Sequence, residues 1–290
     1  LLEPSIDKAK NGFPVSYKGA LRMRRTTDIL SLTSSCKNLY LKSDGNPFKE
    51  GEIIKNNDYA KVLEEIGRAG SASFYSGDIS KLILREIENN DGFLTPIDLK
   101  NYEAVRKKPA EYIFMGHNVI TVPRPSTGAL VFSGLKSLTD FPEVKDTQEL
   151  LVRAMLRMFA ERRKSFGDFN DENGGQITES PETTSLCTLD VEGNAVSLTY
   201  SNNNHSGVVI PGTGILMNNQ MALFSPWPGN PNEVSGGKRP VSSMMPSILL
   251  NGRSVRLILG ASGSTRIPTS IMQVLYRLLL QEKSLIEAIT

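Results

Sequence analysis

Glu182-Thr183-Thr184-Ser185-Leu186-Cys187-Thr188-Leu189-Asp190 is the stretch whose reading decides the fold. Leu186, Thr188 and the run Ala195 to Tyr200 have the β-branched and apolar content of strands, and Val191-Glu192-Gly193 between them reads as a turn. If Asp190 and Asn194 close that turn, an antiparallel register places Ser201 directly opposite Thr183, with Asn203 two residues further on. The segment before it, Ser165 to Glu182, is rich in Gly, Asn, Asp and Glu and poor in apolar residues. It cannot bury itself and is expected to be exposed and mobile.

Two readings of Thr183 follow. Threonines at a strand start are ordinary β-formers. The alternative is chemical: a threonine released as a new N-terminus carries its own base. An α-amine has an unperturbed pKa of about 7.7–8.0 and can take the hydroxyl proton without a histidine. An N-terminal nucleophile enzyme would be built this way.

Outward from this hairpin, the first half reads as helices. Val62, Leu63 and Ile66 follow Asp58 and precede Gly67 and Gly70, and Ile79, Leu82, Ile83 and Ile87 form a second amphipathic face ending near Gly92. Thr95-Pro96-Ile97-Asp98 is a helix start. Glu111 to Val122 predicts a hairpin turning about Met115-Gly116-His117-Asn118, and Pro123 to Gly128 breaks the chain before another helix. Asp146 or Thr147 caps a helix with the face Leu151, Ala154, Met155, Met158 and Phe159, read as core. A short strand at Gly214–Met217, a loop from Phe224 to Gly237, a strand pair turned by Asn251-Gly252, and a helix with Pro268 near its start complete the pattern. Strands in the middle and second half with helices on either side predict a layered α+β sandwich. No loop marks an evident division into independent domains.

Composition excludes several classes. The 290 residues are 39% hydrophobic and 22% charged, ordinary for a globular chain, and 33 basic against 31 acidic residues leave a net charge of +2. The charges are interspersed, which argues against nucleic acid as a partner. Arg22–Arg25 and Arg162–Lys164 read as solvated surface. Cys36 and Cys187 are too few for a disulfide framework, and Cys187 reads as a small buried residue. No apolar run reaches the length of a membrane span. The chain opens at Leu1 without a methionine or a basic-then-apolar leader, as expected of a start inside a longer product, and its compartment stays open.

Candidate sites can be weighed on residue chemistry. His117 and His205 have no partners at metal-ligand spacing, so zinc is not expected, and a Ser-His-Asp site would have to recruit one of those two. Gly236-Gly237-Lys238-Arg239 lacks the Ser or Thr that a phosphate loop places after lysine. Gly260-Ala261-Ser262-Gly263-Ser264, between strand and helix, fits either an anion site of backbone N–H groups or a tight turn. Ser242-Ser243 offers two hydroxyls for a carboxylate, or simply a turn.

Taken in order, these pieces resemble the gamma-glutamyltransferase family over nearly the whole chain. The resemblance is carried by Leu2-Glu3-Pro4, Gly12-Phe13-Pro14-Val15-Ser16, Phe74-Tyr75-Ser76-Gly77, Asp98-Leu99-Lys100-Asn101-Tyr102 and Pro123 to Gly128. It continues through Thr183-Thr184 to Gly193-Asn194-Ala195-Val196, Gly214 to Met221, Lys238 to Pro246 and Gly260 to Ile267. It implies a four-layer αββα sandwich of the N-terminal nucleophile hydrolase type, with residues 1–182 a large-subunit portion and 183–290 a small-subunit portion, released from one precursor by cleavage before Thr183 and forming one structural unit. It further implies transfer of a γ-glutamyl group from an amide such as glutathione to water or an amino acid, through an ester on Thr183. No cofactor or metal is implied.

In this resemblance Ser201 stands where the family usually has threonine beside the nucleophile, and Asn203 and Gln220 match residues that bind the α-amino end of the substrate. Ser242 and Ser243 match serines that bind its carboxylate and line the site, and Gly263 and Ser264 match backbone oxyanion donors that are normally both glycine. The departures are specific. Leu223 replaces an aspartate that meets the substrate ammonium, Ser185 replaces a histidine, and the Pro226–Gly237 loop is shorter than the lid of some members, leaving access for acceptors or water. The family's carboxylate-binding arginine lies upstream of Leu1, and its last strands and helices would follow Thr290. Two alternatives accompany the γ-glutamyl reading: an acylase for a less charged glutaryl or aliphatic amide, suggested by Leu223, and a non-catalytic relative that keeps the fold.

Overall fold

The computed structural model describes residues 1–141, 144, 146–166 and 182–290. The first part forms α1 (Glu3–Asn11), β1 (Phe13–Pro14), α2 (Tyr17–Arg25), α3 (Thr27–Leu30), α4 (Ser34–Tyr40), β2 (Ile53–Ile54), α5 (Asn57–Ala69), α6 (Ala72–Tyr75), α7 (Asp78–Asn89) and α8 (Pro96–Lys100). The middle forms β3 (Ala110–Phe114), β4 (His117–Thr121), α9 (Gly128–Lys136), α10 (Thr147–Phe166), β5 (Thr184–Leu189) and β6 (Ala195–Tyr200). The remainder forms β7 (Val209–Ile210), β8 (Ile215–Leu216), β9 (Ser247–Asn251), β10 (Ser254–Leu259), α11 (Arg266–Leu279) and α12 (Leu285–Ile289). The mixture of helix and sheet is the α+β class expected.

Contacts divide the chain into two compact units, Leu1–Val105 with His205–Asn218, and Arg106–Asn204 with Asn219–Thr290. The sequence showed no such boundary, because the first unit borrows a short insertion from far along the chain. This division does not follow the line at Thr183: each unit contains residues from both sides of it.

In the first unit the amphipathic helices bury the faces their periodicity predicts, except that Leu82 of α7 is exposed and Leu84 packs against the cluster with Ile87. Val62 of α5 meets Ile79 and Ile83 of α7, Leu99 of α8 and Ile210 of β7 in one apolar cluster. Asn56 caps α5 by accepting the Tyr59 N–H at 3.1 Å. Thr95 and Asp98 form a reciprocal capping box at α8.

The second unit is built on a four-stranded antiparallel sheet in the order β10-β9-β4-β3. Tyr112, Val119 and Leu249 lie side by side across it by register and join the cluster formed with α9, α10 and α11, which includes Leu130, Phe132, Met158, Ile271, Met272 and Leu275. Tyr112 stacks on Phe132 with ring centroids 4.5 Å apart. Asp146 caps α10 through the Glu149 N–H at 2.8 Å. Ser165 and Phe166, expected to open an exposed segment, instead complete α10 with Phe166 buried; the rest of that expectation falls on residues 167–181, which lie outside the described residues.

The β5–β6 hairpin is a second sheet in this unit, lying against β9 and β10. Ser197 Oγ donates to the Leu259 carbonyl at 2.9 Å. At Gly260 a Cβ would stand 2.0 Å from Ser185 Oγ and 3.1 Å from Ser185 Cβ, so a larger residue would force the Ser185 hydroxyl to turn away and crowd this approach of the two sheets. Cys187 is exposed, against the expectation of burial. It lies on β5 opposite Ser197, and whereas β6 contacts both β9 and β10, β5 contacts β10, so this position of the hairpin is left uncovered.

Candidate active site

The register of the hairpin decides the position of Thr183. Thr184 pairs with Tyr200 and Leu189 with Ala195, so the next residues outward, Thr183 and Ser201, face each other at the open end. Thr183 is buried, and its hydroxyl donates to Ser201 Oγ at 3.1 Å. Ser201 Oγ also accepts the Asn203 N–H at 2.9 Å. These bonds pin both hydroxyls and leave lone pairs on the Thr183 oxygen for attack.

Asn203, at φ 59°, sits in the left-handed region that asparagine tolerates better than most residues. Its side-chain amide donates to the Asn219 carbonyl at 3.0 Å, and the Gln220 amide donates to the Ser201 carbonyl at 2.8 Å. Gln220 and Leu223 are the ends of a single 3-10 turn. That turn is held from behind by Asn232, almost fully buried, whose amide donates to the Leu223 carbonyl at 2.7 Å and whose carbonyl accepts the Val241 N–H at 3.0 Å. Asn232 drew no notice in the sequence because an asparagine in a Pro- and Gly-rich loop is unremarkable there.

The serine pair is placed by the Pro123–Gly128 segment. Ser242 N–H donates to the Pro125 carbonyl at 3.1 Å, and Thr127 N–H donates to the Ser242 carbonyl at 3.0 Å. The Ser126 hydroxyl bonds the Met244 carbonyl. Two motifs more than a hundred residues apart in sequence thereby form one loop scaffold.

Gly263 (φ 110°) and Ser264 (φ 54°) turn the end of β10 into α11, their carbonyls accepting the N–H groups of Arg266 and Ile267. Among the described residues their own N–H groups have no backbone acceptor, as suits donors to an oxyanion. Ser264 holds a backbone conformation in which a Cβ costs about 1 kcal/mol.

Thr183, Ser201, Asn203, Gln220, Leu223, Ser242, Ser243 and Ser264 all line one pocket, with Arg162, Val241, Met244 and Ile267. The pocket lies within the second unit, is open to solvent, and has a volume of about 40 Å³. A larger hollow in the first unit, about 1100 Å³, is lined by residues of α1 and α5 such as Glu3, Lys10, Glu64 and Arg68 and holds no candidate nucleophile.

Arg162 is the residue the sequence reading misplaced. Assigned there to a solvated basic cluster, it is 3% exposed and donates from Nη1 to Ser243 Oγ at 3.1 Å. The pattern carried the signal: Leu151, Ala154, Met158, Arg162 and Phe166 are the buried positions of α10. Arg162 occupies the next place in the apolar stripe after Met158. No carboxylate is among the described residues that line the pocket. His205, just past the site in sequence, is buried at φ 48° with Nδ1 accepting the Gly207 N–H at 3.2 Å. Burial, with Arg22 nearby, pushes its pKa down to about 4. Cys36 is fully buried, which pushes its thiol up to about 11. Among the described residues no group of His, Cys, Asp and Glu is placed to hold a metal, and no helix is long and apolar enough to cross a membrane.

A sequence model of gamma-glutamyltranspeptidase matches residues 1–176 and 170–290 of the chain. The chain is 31% identical to the glutathione hydrolase proenzyme of Pseudomonas aeruginosa over 95% of its own length and 58% of that protein. To the glutathione hydrolase proenzyme of Escherichia coli it is 29% identical, over 94% and 56% respectively. The crystal structure of cephalosporin acylase from Bacillus halodurans superposes with a TM-score of 0.82 at 25% identity, covering 97% of this chain and 58% of that one. The chain therefore spans less than two thirds of the length of each of these proteins.

Proposed function

The chain belongs to the gamma-glutamyltranspeptidase family, and on that premise we propose that Thr183 is the nucleophile of a self-processed amidohydrolase and acyltransferase acting on γ-glutamyl amides such as glutathione. The observation that carries the reading is the Thr183 hydroxyl, buried at the mouth of the hairpin and hydrogen-bonded to Ser201 inside a pocket that also holds the serine pair and Ser264, while Gly263 of the same turn is not among its lining residues.

In the continuous chain the Thr183 nitrogen is an amide and has no basicity to lend. Attack of Thr183 Oγ1 on the Glu182 carbonyl moves the acyl group from nitrogen to oxygen, and water then cleaves the ester. The products are a Glu182 carboxylate and a free Thr183 amine, with residues 1–182 and 183–290 as the large- and small-subunit portions.

In turnover the freed amine takes the proton of Thr183 Oγ1 as the oxygen attacks the amide carbonyl of the donor. The N–H groups of Gly263 and Ser264 face the oxyanion that forms. Collapse expels the donor's amine with a proton and leaves an ester on Thr183. Water or the amine of an amino acid then attacks that ester, returning the proton to Thr183. Asn203 and Gln220 hold the α-amino end of the acyl group, and Ser242 and Ser243 its carboxylate.

A second reading has a specific observation behind it. Leu223 lines the pocket, and among the described residues no carboxylate lines it to meet a substrate ammonium. A donor lacking the ammonium, such as a glutaryl amide, would lose nothing at this site, in keeping with the acylase named in the structural comparison.

The deciding experiment is a denaturing gel of purified protein beside a Thr183→Ala variant, with the N-terminus of the small fragment sequenced. Cleavage is expected to begin the fragment at Thr183 and to be absent from the variant. A wild-type chain that stays intact after prolonged incubation in folding conditions would refute the nucleophile and leave the non-catalytic relative as the better reading.

A further inference from the structure

On α10, the position of Arg162 in the helix repeat asks for a hydrocarbon, yet a guanidinium fills it. Burying a charge there is costly unless its N–H groups are used. One is used within the pocket, on Ser243 Oγ at 3.1 Å. Because a guanidinium only donates, the direction of this bond is settled: Ser243 must accept. Ser242 Oγ likewise accepts, from the Met244 N–H at 3.1 Å. Each hydroxyl keeps its own proton to give, and among the described residues neither gives it to a protein acceptor. The pair is thus preset as two adjacent donors, with a positive charge behind one of them.

We infer that Arg162 is a positioning residue that fixes Ser243 as a hydrogen-bond donor and matches the serine pair to an acyl group ending in a carboxylate. The identity of the ligand as an acyl group rests on the acyl-transfer reading of Thr183; the donor preset of the serines does not. A neutral group in place of the carboxylate offers weaker acceptors and, as a primary amide, also brings donors that must compete with Arg162 for the lone pairs of Ser243 Oγ. Lysine at position 162 could supply one N–H and the charge but not the planar fork of arginine.

The test uses the full chain with Arg162→Met, which suits a buried stripe position, and Arg162→Lys. Two anilide donors are compared, glutaryl anilide and the same compound with its free carboxylate converted to a primary amide. In the Met variant KM for the carboxylate donor is expected to rise about tenfold, the loss of one charge-assisted hydrogen bond. KM for the carboxamide donor is expected to hold or fall, since Ser243 regains an accepting lone pair. The Lys variant should recover part of the carboxylate preference. A purely structural role would instead shift both donors together, and that result, or an unchanged preference, overturns the inference. Equilibrium binding of glutarate and glutaramide to the same proteins reads the preference without turnover. Failure of the wild type to self-cleave would sink the nucleophile reading while leaving this binding comparison valid. Binding of neither compound to the wild type, or equal binding of both, would overturn the role of Arg162.

Discussion

Leu223→Asp should convert the donor preference of the site. Leu223 is half-buried at the end of the 3-10 turn that begins with Gln220, and both line the pocket with Asn203. A carboxylate there would meet a donor's α-ammonium at close range. Two unit charges about 4 Å apart attract by about 4 kcal/mol at an effective dielectric near 20. Desolvation offsets much of this, and a charge-assisted hydrogen bond nets about 1.5–3 kcal/mol. At about 1.4 kcal/mol per tenfold, kcat/KM for a γ-glutamyl anilide relative to a glutaryl anilide should rise about 10- to 100-fold. The backbone of the turn should survive, because Asn232 holds the carbonyl of residue 223 and not its side chain. Losing the partly buried leucine costs about 1 kcal/mol of stability. The assay is anilide release from the two donors by wild type and variant, each checked for cleavage at Thr183. A ratio that stays put in a folded, cleaved variant would mean that position 223 does not face the α-carbon of the donor, and the placement of the substrate would have to be abandoned.

Gly260→Ala should destabilise the protein by about 1–3 kcal/mol in urea unfolding, the usual cost of overpacking, because the added methyl meets Ser185 Oγ; adding Ser185→Ala should restore part of it. His205, held neutral with its pKa near 4, should make stability fall as pH drops from about 6.5 toward 4, since the unfolded chain binds the proton more readily in that window. The loss should reach up to about 3 kcal/mol, and His205→Asn, which tolerates the left-handed backbone, should flatten that slope. In the native protein a thiol reagent should modify exposed Cys187 and spare buried Cys36; mass mapping that finds Cys36 labelled first would contradict the packing around α4.

Much of the site was legible because its geometry is local. The Asp190–Asn194 closure sets the register of β5 on β6 through hydrogen bonds between neighbours in sequence, and that register alone brings Thr183 against Ser201. The Thr95 capping box and the Met115-Gly116 hairpin were readable for the same reason. Arg162 was half legible: the spacing from Met158 was in the sequence, but adjacent Arg163 and Lys164 made a surface cluster the simpler reading. Cys187 was misread because alternation says which residues share a face and not how far a neighbouring sheet covers that face.

From its residues alone the chain determined the hairpin, the opposition of Thr183 and Ser201, the helix starts and the α+β class, since each depends on bonds that close within a few residues and on periodicity along one element. The tertiary structure decided which side of α10 looks into the pocket, bringing Arg162 to Ser243 across 81 residues of sequence. It also decided that the Pro123–Gly128 segment braces the serine pair, with Ser126 reaching Met244 across 118 residues, and that each of two compact units takes residues from both sides of Thr183. These depend on which faces of distant elements are buried against each other, a choice made by the packing of the whole core that no local pattern contains.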